Sequence, residues 1–113
     1  MSPEQEELLR RLALSDSGVA GAALETTGGA SAGSSLDPPT LALTQVAALI
    51  ATEAALASYQ WAVESALAAG ASDDDIVDVL VAVAPVVGLA RVAAAAPELA
   101  LALGYDVESP SEE

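Results

Sequence analysis

The chain has 113 residues and carries seventeen acidic side chains against three arginines, a net charge of −14 that repels phosphate backbones and anionic lipid surfaces and so excludes nucleic-acid and membrane-surface partners. It has neither cysteine nor histidine, which excludes disulfides, thiolate nucleophiles and imidazole acid/base or metal-ligand chemistry. Carboxylates, Tyr, Ser/Thr hydroxyls, Arg91 and backbone groups remain, and no metal or cofactor is expected.

The length suits one domain. Hydrophobic residues make up 53 %, but many are Ala and none is Phe. Ala lets helices approach closely yet contributes little transfer free energy, against about 1.5–3 kcal/mol for a buried Leu or Val. A core of this kind gains from further burial between subunits.

The N-terminal segment, residues 1–27, reads as one or two docking helices. In "SPEQEELLRRLAL", Ser2 suits an N-cap, Pro3 the first helical position and Gln5 the capping-box position. Glu6 with Arg10 and Glu7 with Arg11 are favourable i,i+4 pairs, and Leu8 and Leu12 share an apolar stripe. The stretch opens with acids and has no apolar run of signal-peptide type. A second, weaker helix is expected around residues 18–25. Residues 28–35, "GGASAGSS", have the composition of a flexible linker.

The main body spans residues 36–105. Asp37 is a good N-cap and Pro38 a good first helical residue. No Pro or Gly interrupts residues 40–69, so one long helix or two with a joint near Thr52 are expected, stopped by Gly70. On a continuous projection Gln45, Thr52, Glu53, Tyr59, Gln60 and Glu64 share an arc of about 140°, and the rest is aliphatic. The longest uncharged run, "PPTLALTQVAALIAT", has 15 residues, short of the roughly 20 of a spanning helix. A soluble, cytoplasmic protein is therefore expected, although mean hydropathy is +0.48.

"SDDDIVDVLVAVAPVVG" starts the next helix, with Ser72 and Asp75 as a capping box and three acids in the first turn. Adjacent residues on a helix do not face one another, so the Asp run reads as a cap and not as a cation site. Pro85 is expected to kink or end this helix. "LARVAAAA" and "PELALAL" make one or two more helices, ended by Gly104. Residues 106–113 form an acidic tail.

Taken in order, Leu36, Asp37 and Pro38, then Ala66, Leu67 and Gly70, then Ser72, Asp75 and Ile76, then Gly88 form a pattern. It resembles the carboxymuconolactone decarboxylase family, which includes the alkylhydroperoxidase D-like proteins. The resemblance covers about residues 36 to 105 and implies an all-α, alkylhydroperoxidase D-like helical fold. It also implies assembly of the chain with itself, as a homo-trimer or hexamer. In the peroxidase branch of the family a CxxC pair precedes a His by four residues. Those positions fall on Ala55, Ser58 and Ala62, and an upstream Glu of the relay on Ala42. The decarboxylase branch uses the same His position. Thiol peroxidase chemistry is therefore not expected.

Three functions are compatible with these residues. The first is a non-redox oligomer with an apolar small-molecule pocket edged by Tyr59, Gln60 and Trp61, with Arg91 as a further ligand contact. The second is a lyase-type enzyme on a small organic acid, with Glu53 or Glu64 as base, Tyr59 as donor and Arg91 on the substrate carboxylate. The third is an accessory subunit of another enzyme. Packing of Tyr59 and Trp61, and an ion pair of Arg91 with Glu53, Glu64 or Asp78, are the structural alternatives. An Arg91 with a buried stem and a paired head is expected.

Overall fold

The computed structural model describes residues 1–14, 18, 26–27, 30–31 and 34–105. The expected second helix at 18–25 and the acidic tail at 106–113 lie outside them, apart from residue 18. Two compact units divide the chain, Met1–Leu36 and Asp37–Glu113.

In the first unit, helix α1 (Pro3–Ala13) starts where Ser2 Oγ accepts the Gln5 amide, with Pro3 at the first position. It buries none of its residues. Glu7 pairs with Arg10, one residue closer than the expected spacing, through two bonds of 2.9 and 3.1 Å. Two bonds to one guanidinium outweigh the single contact of a looser pair. That contact holds the Glu7 carboxyl below its usual range. Residues of the expected linker enter a minimal antiparallel pair, β1 (Thr26–Thr27) with β2 (Ala30–Ser31). A Gly-Gly dipeptide between two such pairs is a hairpin signal in the sequence.

The second unit is four helices: α2 (Pro38–Ala51), α3 (Leu56–Ala68), α4 (Asp73–Val87) and α5 (Leu89–Ala102). Helix α2 packs on the other three, α3 on α5, and α4 on α5. The caps are those expected. Asp37 accepts from the Thr40 amide and hydroxyl at 3.3 and 2.9 Å, which holds its carboxyl below the ordinary range. Ser72 and Asp75 exchange both bonds of a capping box at 3.0 Å. Helix α3 ends in a Schellman motif: Gly70, at φ 103°, donates to Leu67 O, and Ala71 donates to Ala66 O.

Residues 40–69 form two helices, with the joint at Thr52–Ala55. The joint is a second Schellman motif. The Glu53 amide donates to Ile50 O at 3.4 Å and the Ala54 amide to Leu49 O at 3.2 Å. Glu53 occupies the position where glycine is favoured, at φ 55°. The break resets the helical phase. Tyr59 therefore leaves the polar arc of the continuous projection and enters the core at 1 % exposure.

Pro85 does not end α4, which continues to Val87; the stop is Gly88, at φ 92° and ψ 151°. Pro97 likewise lies inside α5, so the last segment is one helix. The core gathers Val46, Ile50, Tyr59, Val63, Ile76 and Leu99 with small Ala residues between them. Among the described residues, no helix is long and apolar enough to cross a membrane.

Candidate functional site

Two concave features among the described residues of the second unit bear on the site. The first is at the corner between α2 and α3. Glu53 and Ala54 of the corner, Tyr59 of α3, and Arg91, Ala94, Ala95 and Glu98 of α5 line a cleft of about 100 Å³. The chain reaches this arrangement by local rules. The α5 residues sit at i, i+3, i+4 and i+7, one face of a helix. The corner motif turns Glu53 toward that face. The Tyr59 hydroxyl donates to Leu49 O at 3.1 Å, which ties α3 to the end of α2.

The electrostatics follow from what is paired. Arg91 Nε lies 3.9 Å from Glu53 Oε1, and Arg91 Nη1 donates to Val87 O at 3.3 Å. Glu53 is thus the acid that Arg91 meets, but the expected buried pair is not found: the two side chains are 49 % and 64 % exposed. Among the described residues α5 is the last helix, and Arg91 on it is reached by water. A pair exposed to that degree contributes about 0–1 kcal/mol. Burial, and then the carboxylates of Glu98 and Glu53, push the Tyr59 phenol above its ordinary value of 10.0.

The second feature is an apolar groove of about 200 Å³ between α4 and α5, lined by Ile76, Val77, Leu80, Leu99 and Leu103, with Tyr105 at one end. None of the residues singled out from the sequence as site residues lines it.

The structure brings together Glu53, Tyr59 and Arg91. It does not add the others. Gln60 and Glu64 are exposed on α3, and Trp61 is 44 % exposed. Successive helix residues are about 100° apart, so Tyr59, Gln60 and Trp61 point to different sides of α3. Glu98 is the site residue that sequence reading missed. Its signal was the i, i+7 spacing from Arg91 on the last helix. Among the described residues, no cluster of carboxylates could hold a metal ion.

The positions that resemblance assigns to the reactive groups are also placed. Ala42 and Ala62 are buried in the core, Ala62 at 1 % exposure, Ser58 is half-buried and Ala55 is exposed. The model of the carboxymuconolactone decarboxylase family matches residues 18–100. The chain belongs to that family. The match begins well upstream of Leu36, where the resemblance was first legible, so the family pattern takes in part of the first unit. No curated protein and no solved structure matches the chain significantly. Among the described residues of its second unit, the regular elements of this carboxymuconolactone decarboxylase family member are all α-helices.

Proposed function

We propose that this carboxymuconolactone decarboxylase-like protein is a non-redox, self-associating member of the family, cytoplasmic, whose apolar groove takes a small molecule and which has no thiol peroxidase chemistry. The observation that carries this reading is the groove between α4 and α5, apolar and open, in a chain whose expected reactive positions are Ala55, Ser58 and Ala62. Small-molecule sites are mostly apolar clefts, and this one is lined by aliphatic side chains. Ala62 lies in the core and is not among the residues that line the groove.

Self-association is supported by the apolar side chains that the single chain leaves in water. Val81 is 71 % exposed and Val86 86 % exposed, and Leu89 and Leu101 are exposed as well. Large apolar side chains left this exposed gain from burial against a second copy of the chain. The lyase reading has the weaker support. Its cleft carries two carboxylates to one guanidinium, and Glu53 already lies beside Arg91, so an anionic substrate meets net repulsion.

Titration with a small aromatic hydrocarbon, followed by methyl NMR, tests the groove. Saturable shifts at Ile76, Leu80 and Leu99 are expected; their absence removes the binding reading. Peroxide turnover coupled to a dithiol donor in metal-free protein is expected to be nil. Light scattering is expected to find an oligomer that Val81→Asp dissociates. A stable monomer at micromolar concentration sinks the assembly.

A further inference from the structure

We propose that the cleft at the α2–α3 corner binds a small organic ammonium ion, with the Glu98 carboxylate as its principal acceptor. This site is independent of the apolar groove. The two use faces of α5 about 140° apart at 100° per residue.

The inference starts from a charge inventory. The cleft holds Glu53, Glu98 and Arg91. Glu53 and Arg91 lie beside each other, and Val87 O takes a further guanidinium proton. Glu98 is partly buried and has no hydrogen bond or ion pair among the described residues. One unit of negative charge is therefore left over. It sits on a carboxylate partly withdrawn from water, where a cationic donor is worth more than in bulk solvent.

The neighbours select the kind of cation. The Tyr59 proton is committed to Leu49 O, so the phenol can only accept from a ligand in the cleft. Burial, and then the Glu98 and Glu53 carboxylates beside it, hold the phenol's pKa above its ordinary value. An ammonium group donates to Glu98 and to the Tyr59 oxygen. Its carbon lies against the methyls of Ala54, Ala94 and Ala95. A volume of about 100 Å³ admits roughly three water-sized groups, at about 30 Å³ each. An ammonium head with one or two carbons fills it, and a longer chain extends into solvent.

The test is an NMR titration of the full chain with butylammonium chloride. Sodium chloride at equal ionic strength and sodium butyrate serve as controls, and the signals of Tyr59, Ala94 and Ala95 are followed. Saturable shifts are expected with butylammonium alone. Glu98→Gln should weaken binding about tenfold or more, the loss expected for a charge-assisted hydrogen bond. Arg91→Gln, which frees Glu53, should tighten it. No saturable shift, an equal response to sodium, unchanged affinity in Glu98→Gln, or weaker affinity in Arg91→Gln overturns the proposal.

Discussion

Helices α2 and α3 and helix α4 are all aliphatic, yet they fare differently. Helix α2 buries Leu41, Ala42, Val46 and Ile50, and α3 buries Tyr59, Ala62, Val63 and Ala66. Helix α4, with the aliphatic run "IVDVLVAVAPVV", buries only Ile76. Apolar composition states what a helix tolerates; burial depends on having a neighbour. Helices α2 and α3 are covered on more of their surface, whereas α4 packs on α2 and α5 and still keeps Val77, Val81 and Val86 in water. The contrast is what makes the α4–α5 side the place to look for partners or ligands.

The largest effect should come from the buried side. Tyr59→Ala removes a fully buried ring and its bond to Leu49 O, and should cost about 3–5 kcal/mol in denaturant melts. A cost below about 1 kcal/mol would mean that the core is not organised around this ring. Next is the junction between the two sides. Gly88→Ala meets no atom within 4 Å, so space is not the obstacle. Its φ of 92° is, and a loss of about 1–3 kcal/mol is expected from backbone strain alone.

Arg91→Ala should change stability by no more than about 1 kcal/mol, because the pair with Glu53 is solvent-exposed. A loss of about 3–5 kcal/mol is the mark of a buried pair, and would require a second copy of the chain to cover α5. Val86→Ala probes the open side directly. At 86 % exposure it should stay within about 0.5 kcal/mol in dilute protein. A larger loss that grows with protein concentration would show the face to be covered.

The smallest effect concerns pH. The Asp37 carboxyl is held below its ordinary value of 3.8 by Thr40. Its contribution is fully present above that unfolded value and is lost as pH falls through the lower folded value. Asp37→Asn should flatten that part of an acid melt and leave neutral pH nearly unchanged, since Asn also caps well.

Much of this was legible locally. The caps at Ser2, Asp37 and Ser72 and the stops at Gly70 and Gly104 follow from residue type, because each satisfies backbone groups within a few residues. The carboxymuconolactone decarboxylase pattern was legible for the same reason, as an order of such signals. The candidate site was legible in part. Glu53, Tyr59 and Arg91 stood out by chemistry, whereas Glu98 looked like one more surface acid until α5 was placed beside the corner.

The sequence by itself determined the caps at Ser2, Asp37 and Ser72, the stops at Gly70 and Gly104 and the absence of any thiol or imidazole, since these depend on near neighbours or on composition alone. Only the tertiary structure decided that the 40–69 segment breaks. A glutamate at φ 55° is unfavourable locally, and the core repays it by taking in Tyr59. Only the tertiary structure decided, too, that Arg91 stays in water and that Glu98 faces the phenol. Those outcomes depend on which helix faces lie against one another, a question of long-range packing that no local signal carries.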